Sequence, residues 1–208
     1  MTTFNSDFWD ERYFSDKYIY GESPNEYLVE KLNLLPIGKI LFPADGEGRN
    51  SVYAASLGWN SYSFDMSKEG KFKAEKLANK NNLKIHYDIC YAQDIKYPKE
   101  SFDAIAMIYS HFPANIKFEC NSKLIDTLKV GAYVIFELFS KKQIDYQKKY
   151  KSGGPQDIDM LYSIKEVKDN FINFEFIELK EQEILLKEGD FHDGLGSVIR
   201  FFAKKIKS

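Results

Sequence analysis

The feature that most constrains this chain is an apolar run that stops at a glycine-containing turn and opens a helical pattern: Ile40-Leu41-Phe42-Pro43-Ala44-Asp45-Gly46-Glu47-Gly48-Arg49-Asn50. Strand, tight turn and helix in that order build the ligand pockets of α/β proteins. Gly46 and Gly48 let the backbone approach a ligand, and the next helix presents unpaired N–H groups beside it. A dinucleotide fingerprint, G-x-G-x-x-G, would want glycine at position 51, where the chain has Ser51. A nicotinamide enzyme is therefore the poorer fit.

The same unit recurs. A strand at about 39–43 leads into the turn, and Val52, Ala55 and Leu57 form a helix ended by Gly58. Tyr62 and Phe64 alternate into Asp65, Ser67 caps a helix through Phe72 and Leu77, and a strand follows near Ile85–Ile89, with His86 inside it as a structural residue. Phe102–Tyr109 is a continuous apolar run of strand length, the pattern of a central parallel strand covered on both faces. Pro113–Lys129 reads as a helix closed by Val130-Gly131, and Tyr133–Leu138 as a strand. Earlier, Ser23, Pro24 and Glu26 read as N-cap, first helical residue and capping-box acid, and Ser163 with Glu166 as a second box. Three β-rich segments close the chain, Phe174–Leu179, Glu183–Leu186 and Ser197–Ala203. Repeated βα units require a parallel sheet, and late strands without helices between them require antiparallel pairing at one edge.

The 208 residues suit one domain, divided as 1–36 (N-terminal lid and helix), 37–140 (cofactor-binding core) and 141–208 (substrate-side loop and C-terminal hairpin). A formal net charge of −2 gives no electrostatic reason to expect nucleic acid or an anionic membrane. No apolar stretch is long enough to span a bilayer and the start Met1–Asp10 is polar, so a cytoplasmic location is expected. Cys90 and Cys120 lack C-x-x-C spacing, and the loop Glu188–Gly194 lacks the spacing of an EF-hand, so no metal is expected. The basic run Lys141–Lys151 reads as a solvated helix face.

Ligands in such sheets sit beyond the carboxyl ends of the strands. Asp65 stands about 17 positions past Gly48, the place for an acid that accepts from ribose hydroxyls. Met66 beside it could pack on an adenine face. Ala44-Asp45-Gly46-Glu47-Gly48-Arg49-Asn50, Phe64-Asp65-Met66-Ser67, Ala92-Gln93-Asp94, Phe102-Asp103-Ala104-Ile105 and Leu128-Lys129-Val130-Gly131-Ala132, taken in order, resemble class I S-adenosylmethionine-dependent methyltransferases. Tyr18-Ile19-Tyr20-Gly21 with Pro24-Asn25 and the Gly-Arg-Asn turn resemble the small bacterial branch of tellurite-resistance and thiopurine methyltransferases.

The resemblance implies a Rossmann-like, doubly wound, mostly parallel seven-stranded sheet with a C-terminal antiparallel hairpin and helices on both faces. It implies S-adenosylmethionine as cofactor and a small-molecule methyl acceptor, in a monomer or homodimer. The Asp45–Gly48 turn would face the methionine part, Asp65 the ribose, and Asp94 with the Ile95 backbone the adenine edge; Ala44, Gly46, Arg49, Asn50, Met66, Ser67, Gln93 and Tyr109 are further candidate cofactor contacts, with Tyr109 lining the pocket. Phe42 and Ala44 depart from the acid and glycine usual in the superfamily. His111, just past a strand end, is the candidate general base. Trp9, Arg12, Tyr13 and Tyr20 form a candidate aromatic lid, Gly153-Gly154-Pro155 a flexible point, and His192 a candidate wall of the acceptor pocket. The alternatives are a cofactor-binding protein without turnover and a nicotinamide-dependent oxidoreductase.

Overall fold

The computed structural model describes residues 5–207; Met1–Phe4 of the polar start and Ser208 lie outside that range. Seven strands form one sheet in the order β3-β2-β1-β4-β5-β7-β6. β1 (Lys39–Pro43), β2 (Asn60–Asp65), β3 (His86–Ile89), β4 (Phe102–Ile108) and β5 (Leu128–Phe139) run parallel, while β7 (Asp193–Lys205) is antiparallel to β5 and to the edge strand β6 (Phe174–Lys187). The order reverses between β1 and β4, which opens a crevice at their carboxyl ends.

Alternation puts one residue set on each face. Ile40, Phe42, Ala106 and Ile135 pack with Tyr27, Leu28 and Leu32 of α2 (Glu26–Leu32) and Ala54 of α3 (Arg49–Ser56). Leu41, Ile105, Val134 and Phe136 pack with Leu124 of α5 (Lys117–Thr127) and with Val167 of α7 (Ile164–Asn170). Phe42, where the resemblance expected an acid, is therefore a core residue, 1% exposed. Burying a phenylalanine contributes roughly 1.5–3 kcal/mol. α4 (Lys68–Lys80) carries the Ser67 cap as expected, and its Leu77 and Ala78 meet Val52 of α3. α1 (Ser6–Tyr13) lies on α4, and α6 (Gln143–Tyr150) on β7.

Three boundaries differ from expectation. The N-cap of α2 is Asn25, whose Oδ1 accepts Leu28 N–H at 3.0 Å; Ser23 lies two residues outside and gives its carbonyl to Arg49. α5 stops at Thr127 because Leu128 already pairs with Phe102, and Gly131, at φ +87°, sits where the β4–β5 register shifts. β6 is one strand rather than two segments: the polar Lys180-Glu181-Gln182 pair with Arg200, Ile199 and Val198. On an edge strand the backbone ladder continues through residues whose side chains face water. The second capping box, Ser163 with Glu166, is present.

Candidate active site

The glycine turn lies at the carboxyl end of β1. Ala44 adopts φ +48° and Gly46 φ +57°. Gly48, at φ +83°, is the N-cap of α3, so no side chain caps that helix. The N–H groups of its first turn are thus open to an anion. Asp65, at the end of β2, accepts Gly46 N–H at 3.0 Å and Ser67 N–H at 2.9 Å. Burial raises its pKa to about 6 against these hydrogen bonds, and burial raises Asp45, which holds the Ser63 hydroxyl at 2.9 Å, to about 6 as well. Further along the same rim stand half-buried Met66, Gln93 and Ile95 and exposed Asp94.

The glycines answer to protein neighbours. A Cβ on Gly48 would fall 2.4 Å from Ala74 Cβ, and one on Gly46 2.6 Å from the Tyr13 hydroxyl. α1 therefore lies over the turn. Trp9 stacks on Tyr13 at 5.5 Å, and Asp10 takes the Ser67 hydroxyl at 2.6 Å. Arg12 donates to the Tyr20 hydroxyl at 3.2 Å and lies over Phe8, Trp9 and Phe191. The four aromatic-lid residues are brought together, and they are tied to the β6–β7 loop. Glu47 accepts Ile19 N–H at 2.8 Å and meets Lys73 at 2.6 Å, while Asp190 N–H donates to Ile19 C=O at 3.0 Å. Gln143, on the inner side of the basic helix, donates to Gly153 C=O at 2.9 Å and accepts Ser197 N–H at 2.7 Å, fixing the glycine loop.

Arg49 and Asn50, expected at the cofactor, reach elsewhere. Arg49 donates to Glu188 at 2.9 Å, and Asn50 Oδ1 accepts Asn25 N–H at 3.0 Å. Asn25 Nδ2 in turn bridges Glu137 at 2.7 Å and Glu188 at 2.8 Å. Glu137 also accepts the Tyr109 hydroxyl at 2.6 Å and the Arg200 Nε–H. Tyr109 is thereby held at φ +52°, a strained conformation for a bulky residue. Despite burial, Arg49 and His192 hold the Glu188 pKa down to about 2.

The two histidines have different surroundings. His111 Nδ1 faces Met160 C=O at 3.2 Å, and Nε2 accepts Phe139 N–H at 3.2 Å; burial lowers its pKa to about 3. With both nitrogens engaged by backbone, the ring offers no free lone pair in this arrangement. His192 Nδ1 faces Glu188 at 3.4 Å, and its ring packs 4.4 Å from Tyr109, 4.7 Å from Tyr20 and 5.2 Å from Phe139. Its Nε2 has no hydrogen-bond partner among the described residues. Burial lowers its pKa too, against the raising effect of Glu188.

Sequence reading missed Asn25, Glu47, Glu137 and Arg200 as site residues. Glu137 carried a signal: a carboxylate inside the apolar strand Val134–Leu138, which burial without partners would forbid.

The family described as tellurite resistance protein TehB matches residues 7–191. No curated protein matches the chain in sequence. Among solved structures, TehB from Haemophilus influenzae is 18% identical with a TM-score of 0.71, covering 96% of this chain and 66% of its own. A SAM-dependent methyltransferase from Methanosarcina mazei is 19% identical with a TM-score of 0.70, covering 86% of this chain and 98% of its own. A protein solved in work on the conversion of a disulfide bond into a thioacetal group during echinomycin biosynthesis is 16% identical with a TM-score of 0.74, covering 98% and 93%. These likenesses establish the Rossmann-like methyltransferase fold, and the hairpin-ended sheet leaves the nicotinamide alternative without support. The chain belongs to the TehB family of S-adenosylmethionine-dependent methyltransferases.

Proposed function

We propose that this enzyme transfers the methyl group of S-adenosylmethionine to a small-molecule acceptor beside Tyr109 and His192, by in-line displacement driven mainly by positioning. The carrying observation is His192, whose Nδ1 is turned to Glu188 while Nε2 is without a protein partner. That is the arrangement of a general base with an orienting carboxylate.

The residues at the glycine turn fit the methyl donor. The uncapped first turn of α3 suits its carboxylate, and Asp45 and Gly46 line that end. Asp65 keeps lone pairs for ribose hydroxyls, while Met66, Gln93, Asp94 and Ile95 suit the adenine. S-adenosylmethionine supplies an electrophilic methyl on a sulfonium, and holding the acceptor in line with it is worth about 7–11 kcal/mol in favourable systems. His192 Nε2 takes the acceptor's proton, and ionised Glu188, clamped by Arg49 and Asn25, stabilises the imidazolium. Because Tyr20 packs on the His192 ring, the acceptor enters with the segment 17–20 displaced, and reclosure excludes water. No helix among the described residues is long and apolar enough to cross a membrane, and the free thiols of Cys90 and Cys120 suit a reducing cytoplasm.

Labelled methyl transfer is measured against a panel of thiols, hydroxyls, amines and tellurite, the last suggested by the family's description. We expect a methylated product whose kcat falls about 10²–10⁴-fold in His192→Gln for a protonated acceptor. Full turnover of His192→Gln across pH 5–9 removes the base; no product over the whole panel removes the small-molecule reading.

A further inference from the structure

A cleft of about 540 Å³ runs between residues 20–26 and the end of β6, with Tyr109, Glu137 and Arg200 on its walls. Arg200 is fixed there. Its Nε–H donates to Glu137 Oε2, its guanidinium lies 4.9 Å over the Tyr27 ring, and its side chain is 17% exposed. Neither Nη1 nor Nη2 has a hydrogen-bond partner among the described residues. Arg49, on the same cleft, differs: its Nη1 holds Ser23 C=O at 3.2 Å and its Nη2 holds Glu188. A partly desolvated, pre-aimed guanidinium with both terminal nitrogens open is one half of a bidentate carboxylate pair.

Glu137 ties this fork to the methyl-transfer end. One of its oxygens takes the Tyr109 hydroxyl at 2.6 Å and the other takes Arg200. A ligand anion on Arg200 and the Tyr109 hydroxyl are thus linked through the Glu137 carboxylate. The walls also carry Glu22, Glu26 and Lys187, and Glu188 paired with Arg49, while Pro24 and Ile184 offer apolar surface. One guanidinium edge without a partner matches the single charge and planar geometry of a carboxylate.

We propose that Arg200 sets acceptor specificity and that the acceptor is a short organic carboxylate, its carboxylate bidentate on Nη1 and Nη2 and its methyl-accepting atom a few bonds away beside Tyr109. This rests on the small-molecule reading above. Binding of 3-mercaptopropionate and of its neutral amide to the S-adenosylhomocysteine-loaded enzyme is measured by calorimetry, alongside methyl transfer to both.

We expect the carboxylate to bind at least about tenfold tighter than the amide, and the ratio to fall within about threefold in Arg200→Lys, which keeps the charge and loses the fork. The double variant Glu137→Gln/Arg200→Gln removes both charges together, so no unpaired buried carboxylate remains, and it shows the same collapse with thermal unfolding still cooperative. Equal binding of the two probes by the unaltered enzyme, or a ratio unchanged in both variants, overturns the proposal. Discrimination in binding without transfer to any small acceptor defeats the methyl-transfer reading instead and leaves the carboxylate site standing.

Discussion

His111 and His192 separate two roles that residue type alone leaves joined. His111 is half-buried and His192 buried, but His111 closes two backbone hydrogen bonds while His192 leaves one nitrogen open. His111→Ala strands Phe139 N–H and Met160 C=O, so unfolding in urea is expected to show a loss of about 2–4 kcal/mol. The shape of the pH profile for turnover should persist; an altered acid limb would return His111 to the chemistry. Ala44 is the second residue-scale case. Its φ of +48° explains why glycine is usual at this position, since an L side chain in the left-handed region is strained. Ala44→Gly should raise stability by about 0.5–1 kcal/mol in the same assay, the relief of strain exceeding the added freedom of the unfolded chain. A loss of stability would show that the turn tolerates the methyl group without strain.

Among the elements, the joint between the segment 17–20 and the β6–β7 loop governs closure. Gly189, at φ +72°, would place a Cβ 2.0 Å from the Ile19 carbonyl oxygen, so only glycine lets the two segments meet. Gly189→Ala should cost about 1–3 kcal/mol through this overlap. Limited proteolysis should cut the N-terminal segment faster, with sulfonium cofactor affinity reduced; unchanged cleavage would mean that the contacts of Glu47 and Lys73 hold the segment without the Gly189 joint. Element types were legible because periodicity, Gly58 and the Ser67 and Ser163 caps act within a few residues. The α2 cap was misplaced because Ser23, Pro24 and Glu26 satisfy the local pattern as well as Asn25 does. Asn25 takes the position because Glu137, Glu188 and Asn50 also hold it.

At the scale of the whole molecule, buried ionisable groups set the pH response. Ionised Asp45 and Asp65, raised to about 6, cost stability, and that cost is relieved as pH falls from 7 through 6 toward the unfolded values of about 4; His111 and His192, whose pKa burial lowers, act oppositely, losing stability as pH falls below about 6.5. Glu188, lowered to about 2, also opposes the two aspartates: its contribution is present above its unfolded value and is lost as pH falls toward 2. Urea titrations from pH 3 to 8 should therefore show the stability of Asp65→Asn, relative to that of the unaltered protein, falling as the pH is lowered from 7 to 5. A difference that does not change with pH would contradict this role of Asp65.

The sequence by itself determined the alternation of strands and helices, the glycine turn, the acid ending β2 and the antiparallel close of the sheet, because each is written in a window of a few residues. Only the tertiary structure decided which polar groups share the candidate site. Asn25, Glu137, Glu188 and Arg200 belong to separate parts of the chain, and the Asn25–Glu188 hydrogen bond spans 163 positions. No local pattern encodes that meeting. It follows from sheet order, which brings β4, β5 and β7 side by side, and from burial, which obliges each charged group to find a partner.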